Sequence, residues 1–240
     1  MSAPKDAARN VFVALDTADL PAALALARRL AGHVAGVKLG LEFFAAHGPE
    51  GVRSFADSGQ PIFLDLKLHD IPNTVAGAVK AILALEPAMI TIHAGGGPAM
   101  LRAAAESARA SVVKRPLVLA VTVLTSLDDD DLGLVGQAGP VGEQVARLAR
   151  LAEDSGLDGV VCAPGDVARL RRQSRPGFTL VVPGIRPSGW DAHDQKRHTT
   201  PRAAIEAGAD YLVIGRPITG APDPLAALRV ISDDIAGTSP

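Results

Sequence analysis

The chain has one cysteine, Cys162, among 240 residues. No intrachain disulfide can form, so the fold must rest on a packed core, and the chain is expected in a reducing compartment, the cytoplasm. Aromatic residues make up 3% of the sequence against 48% apolar overall, so that core has to be mostly aliphatic. No uninterrupted apolar run approaches the ~20 residues that span a bilayer. Residues Met1 to Asp6 carry no apolar signal core. Neither sign of charge dominates: 24 Lys and Arg stand against 26 Asp and Glu, without a basic cluster, which argues against nucleic acid as a partner. Metal-ligand spacing is missing as well. There is no His-x-His and no cysteine pair, so no metal is expected.

What is present is a repeat of two patterns. Apolar, β-branched runs recur at Val11 to Leu15, Val34 to Leu39, Ile62 to Leu66, Met89 to Ile92, Leu117 to Val123, Gly159 to Cys162, Thr179 to Val182 and Tyr211 to Ile214. Between them lie Ala/Leu/Arg-rich segments of helical period, among them Leu20 to Leu30, Val75 to Leu85, Pro98 to Val112 and Val141 to Asp154. Asp19 and Thr200-Pro201 are helix-start signals, and Gly32 and Gly208 are stop signals. Strand then helix, eight times in this length, predicts a single-domain (β/α)8 TIM barrel over residues 1–240. A doubly wound open sheet is the alternative, but no Gly-rich dinucleotide turn follows the first run.

In such a barrel the chemistry sits at the C-terminal ends of the strands. Those ends read Asp16, Lys38, Asp65 with Lys67, His93, Thr125-Ser126, Pro183 to Arg186 and Gly215-Arg216. Only the sixth run, ending at Cys162-Ala163, closes without an obvious chemical group, and Cys162 reads as a small buried hydrophobe. The third run is the richest. Alternation puts Asp65 and Lys67 on one face, roughly 7 Å apart along the strand, and Ile62, Leu64, Leu66 and Leu68 on the other. Asp70 and Thr74 follow at once, and Pro72 marks a shaped loop. A lone Asp-x-Lys would be a structural ion pair. With Asp16, Lys38 and Asp70 added, three carboxylates and two ammoniums form an alternating array that compensates each charge and holds a lysine ready to deliver a proton.

Gly215-Arg216 falls where these barrels bind phosphate, after strand eight; as an isolated pair it would be a surface turn. The polar stretch Gly184 to Thr199, with Arg186 and Gln195, has the length of a lid, or of a solvated loop. His93 and His69 read as hydrogen-bonded structural residues, and Asp128 to Asp131 as a solvated loop and helix start.

The motif Asp65-Leu66-Lys67-Leu68-His69-Asp70-Ile71-Pro72-Asn73-Thr74 closely resembles the signature of the bacterial orotidine 5'-phosphate decarboxylase family. So do Ala14-Leu15-Asp16, Val37-Lys38, Val121 to Ser126, Pro183 to Pro187, Asp194-Gln195 and Ile214 to Pro217, and the likeness runs from about Val11 to Leu228. The resemblance implies cofactor-free decarboxylation of orotidine 5'-phosphate to uridine 5'-phosphate. It makes Lys67 the proton donor to carbon 6, sets Asp65 against the leaving carboxylate, and completes the array with Lys38 and Asp70. Asp16, Lys38 and Thr74 would hold the ribose, and Thr125 and Ser126 the pyrimidine edge. Gly215, Arg216 and Gln195 would grip the phosphate, with Pro183 and Arg186 in the closing segment. It also implies a homodimer in which Asp70 and Thr74 reach the partner's site.

Two competitors stand beside this reading. Metal-dependent sugar-phosphate enzymes, such as 3-keto-gulonate 6-phosphate decarboxylase and hexulose phosphate synthase, resemble strand three but place an acidic ligand where this chain has Lys38. A catalytically silent nucleotide-binding barrel would not need Asp65, Lys67 and Asp70 intact.

Overall fold

In the computed structural model, which describes residues 7–111, 114–187 and 199–238, eight parallel strands pair in chain order and close on themselves. They are β1 (Val11–Ala14), β2 (Gly36–Leu39), β3 (Ile62–Leu68), β4 (Met89–His93), β5 (Leu117–Val121), β6 (Gly159–Val161), β7 (Thr179–Val182) and β8 (Tyr211–Ile214). β1 pairs with β8 to complete the ring. The predicted TIM barrel is therefore the fold. The helices are α1 (Leu20–Leu30), α2 (Leu41–Arg53), α3 (Pro72–Leu83), α4 (Gly97–Arg109), α5 (Asp129–Leu134), α6 (Val141–Asp154), α7 (Val167–Gln173), α8 (Pro201–Glu206), α9 (Arg216–Thr219) and α10 (Pro224–Ala236). None is long and apolar enough to cross a membrane.

Both faces of each strand are buried, but in different company. Val13, Leu39, Leu64, Ile90, Val160 and Leu212 join the helices in one aliphatic layer. Phe12, Phe63, Met89, Leu119, Val181 and Val213 form a second, separate cluster, the filling of the barrel. Phe12, Phe63 and Tyr211 are the aromatics of this cluster, while Phe43, Phe55 and Phe178 belong to the outer layer. Phe12 meets Phe63 edge-on at 5.7 Å and Tyr211 at 5.5 Å, plugging the barrel below the site. Gly36 follows from that plug: a Cβ there would lie 2.7 Å from the Phe12 ring and 2.1 Å from the Pro61 carbonyl oxygen.

The expected helix starts hold at α1, where Asp19 accepts from the Ala22 N–H, and at α8, where Thr200 accepts from the Ala203 N–H. Asp128 and Asp131 form a reciprocal capping box at α5. One expectation changes. The segment after β3 is not a loop through Thr74: α3 already begins at Pro72, and Asn73 and Thr74 lie in its first turn. Proline at the first helical position lacks an N–H that would have had no partner there, so it opens the helix.

β3 also departs from simple alternation. Against β4, Leu64 pairs with Ile90 and Leu68 with Ile92, so four steps along β3 match two along β4. The excess is taken up around Lys67, whose φ is 51°. Left-handed backbone at a lysine is strained, and such strain persists only where surrounding contacts hold it.

Candidate active site

The inward rows of the strands deliver the site. Above the Phe12–Phe63 plug, the next inward positions are Lys38 on β2 and Asp65 on β3, with Asp16 just past β1. They line a cavity of about 490 Å³ together with Lys67, Thr125, Pro183, Gly184, Arg186, Gly215 and Arg216. Val121, Val123, Val161, Cys162 and Val213 supply its apolar side, so Cys162 is buried as expected and also forms wall.

The four charges form one alternating row. Lys38 Nζ donates to Asp16 Oδ1 at 2.8 Å and stands 3.5 Å from Asp65 Oδ2. Lys67 Nζ donates to the same Asp65 Oδ2 at 2.9 Å. The Asp65 side chain is 12% exposed and that of Lys38 8%, so these charges interact through little water. Burial pushes the Asp65 carboxyl upward, but the Lys38 and Lys67 charges and the hydrogen bonds from Lys67 and Thr91 outweigh it, and the net shift is below the usual carboxylate range. Asp65 is thus held ionised, and Lys67 is held against it.

Gly40 bounds this row from β2. A Cβ there would stand 2.9 Å from both Asp16 Oδ1 and Lys38 Nζ. These are tips of side chains, so Gly40→Ala is expected to leave the melting midpoint nearly unchanged while pushing the ion pair aside. A displacement of this kind costs about 10- to 100-fold in turnover. Equal kcat in the variant and the parent would show that the pair's position does not matter.

His93 closes the β3–β4 side. Its ring stacks on His69 at 5.1 Å, and its Nδ1 accepts from the Gly95 N–H. Burial, then His69, then Lys67 lower its pKa. A histidine held neutral in the folded chain gains a proton on unfolding. Its contribution to stability is complete above the ordinary value of about 6.5 and is lost as pH falls toward the depressed folded value. Urea midpoints measured at successively lower pH should fall below about 6.5, and less steeply in His93→Gln. Parallel curves for parent and variant would remove His93 from the account.

Not every expected residue reaches the cavity of its own chain. Asp70 is exposed, and its Oδ1 accepts from the Ile71 N–H at 2.6 Å. Thr74 is exposed on α3, and neither residue lines the cavity. Thr125 forms wall, whereas Ser126 is exposed beside it and does not. Gln195 lies outside the described residues. Arg186 is buried, and its backbone N–H donates to the Thr199 carbonyl where Ile185 bridges Thr199. One residue was missed. Thr91, within the apolar run of β4, is fully buried and donates to Asp65 Oδ1 at 2.9 Å. Among the described residues no three His, Cys, Asp or Glu side chains gather as a metal site.

Known proteins similar to this chain point to one family. The chain is 56% identical over 221 residues to orotidine 5'-phosphate decarboxylase of Novosphingobium aromaticivorans, covering 92% of this chain and 96% of that one. It is 53% identical over 232 residues to the enzyme of that name from Rhodospirillum rubrum, covering 95% and 94%. The crystal structure of orotidine 5'-phosphate decarboxylase from Lactobacillus acidophilus matches with a TM-score of 0.82 at 38% identity, over 95% of this chain and 99% of that one. Residues 9–231 match the sequence profile of one family, and with these relatives they show that the chain belongs to the Orotidine 5'-phosphate decarboxylase / HUMPS family.

Proposed function

We propose that this chain removes carbon dioxide from orotidine 5'-phosphate to give uridine 5'-phosphate, the last step of de novo pyrimidine synthesis, without a cofactor. The observation that carries the reading is the alternating Asp16–Lys38–Asp65–Lys67 row in a cavity that also presents Arg186, Gly215 and Arg216. Its relatives bear the name of this activity.

The proposed step breaks the bond between ring carbon 6 and the carboxylate. The electron pair stays on carbon 6 and carbon dioxide leaves. The ring has no ordinary electron sink for that pair, so stabilisation must come from a fixed positive charge nearby, which the Lys67 ammonium provides. Lys67 then gives its proton to carbon 6 and becomes a neutral amine, which is reprotonated from water on product release. Asp65 keeps Lys67 charged and in place. Its own negative charge, set against the substrate carboxylate, favours departure of that carboxylate. Arg216, Gly215 and Arg186 take the phosphate, far from the reacting carbon, and binding energy gained there offsets strain at the ring. Asp16 and Lys38 meet the ribose, and Thr125, in the cavity wall, stands at the pyrimidine edge, where Ser126 would have to turn inward to join it. The functional unit is a homodimer in which Asp70 and Thr74 complete the partner's array.

Lys38 favours this branch of the family over the metal-dependent sugar-phosphate enzymes, because an ammonium held by Asp16 and Asp65 is no metal ligand. The test follows the ultraviolet absorbance of orotidine 5'-phosphate with purified protein in excess chelator. Turnover is the expected result. Activity that returns only with magnesium would assign the chain to the sugar-phosphate branch. Tight nucleotide binding without turnover under either condition would make it a silent barrel.

A further inference from the structure

We infer that Thr91 is a positioning residue for the decarboxylation: its hydroxyl holds both the backbone and the counter-ion of Lys67. The inference rests on the functional reading above, but its starting point is the mismatch between β3 and β4. Between the Leu64–Ile90 and Leu68–Ile92 pairs, β3 has more residues than β4 can pair with. The Lys67 N–H therefore finds a side chain and donates to Thr91 Oγ1 at 2.9 Å. The single hydroxyl proton of Thr91 goes to Asp65 Oδ1, also at 2.9 Å. One oxygen thus accepts from the residue that carries the ammonium and donates to the carboxylate that holds it.

The arrangement is specific to a hydroxyl. A carboxylate at this place would repel Asp65, and an aliphatic side chain would leave the Lys67 N–H and one Asp65 oxygen without these partners. Thr91 is fully buried, so water cannot substitute freely. Its β-branched form locks the rotamer that points inward from β4, on the same row as Met89 and His93. The positive φ of Lys67 thus coincides with an N–H anchored to a buried side chain, a contact of the kind that holds such strain in place.

The test compares kcat and KM for orotidine 5'-phosphate in the parent, Thr91→Val, Thr91→Ser and Thr91→Ala. Valine keeps the shape and loses the hydroxyl. Loss of two hydrogen bonds around a charged pair is expected to lower kcat about 10- to 100-fold with KM changed less than about threefold, because the phosphate and ribose contacts are untouched. Serine keeps the hydroxyl and should stay within about fivefold of the parent. Should valine prevent folding, the Ser/Ala pair carries the test, since both lose the methyl group and only alanine loses the hydroxyl. Equal kcat for Ser and Ala, or a valine variant as fast as the parent, would overturn the inference while the activity itself stood. Were the parent inactive, the functional reading would fail instead, and a crystal structure of Thr91→Val would decide the positioning claim: Lys67 leaving its left-handed conformation supports it, and an unchanged Lys67–Asp65 pair refutes it.

Discussion

Replacing Lys67 by alanine is expected to cut kcat by about 10⁴-fold or more while uridine 5'-phosphate still binds. Two losses combine. A positioned general acid is worth about 10²- to 10⁴-fold, and fixed charge opposite a developing carbanion about 10²- to 10³-fold. Binding is spared because Arg186, Gly215 and Arg216 lie at β7 and β8, away from Lys67 on β3. The two quantities separate cleanly in an absorbance assay for kcat and a calorimetric titration with product. Lys67→Arg supplies the control for charge alone. It keeps a cation beside Asp65 but holds its proton too tightly to hand it to carbon, so it too should remain far below the parent. A Lys67→Ala chain within tenfold of parental kcat would remove Lys67 from the chemistry.

The residues that make this test possible were legible in the sequence because two regularities coincide. Apolar runs separated by helical segments specify a barrel, and a barrel puts its strand ends on one face. Asp16, Lys38, Asp65, Lys67, Thr125, Pro183, Arg186, Gly215 and Arg216 do line one cavity. What escaped depends on the register between strands. Threonine is common in strands, so Thr91 within Met89 to His93 looks like filling. It becomes functional only because β3 outruns β4 opposite it, and the sequence of one strand does not state its alignment to the next. The left-handed φ of Lys67 is hidden for a related reason: lysine carries no preference for that conformation, which here is imposed by neighbours. Local chemistry explains the helix beginning at Pro72. Proline ends a helix when internal and opens one when first, and only the structure says which.

Asp70 and Thr74 demand a different experiment, because they do not line the cavity of their own chain. Residues Asp70 to Thr74, which lead into α3 and form its first turn, are exposed throughout, and Ile71 is 66% exposed although apolar. An apolar side chain between two motif residues at the rim is what a second copy would cover. If Asp70 of the partner subunit completes each site, then Lys67→Ala and Asp70→Ala chains are each inactive alone but complementary together. In a hybrid dimer one site carries both defects. The other takes Lys67 from the Asp70→Ala chain and Asp70 from the Lys67→Ala chain, and is intact. Random exchange at equal amounts makes half the dimers hybrid, so about a quarter of parental activity should return on mixing. Were Asp70 to act within its own chain, every site in every hybrid would retain one defect and mixing would restore nothing. Recovery of activity after subunit exchange, against none in the separate pools, therefore distinguishes a shared site from a self-contained one. The size of the Asp70→Ala loss alone does not, since either arrangement removes a carboxylate from the array.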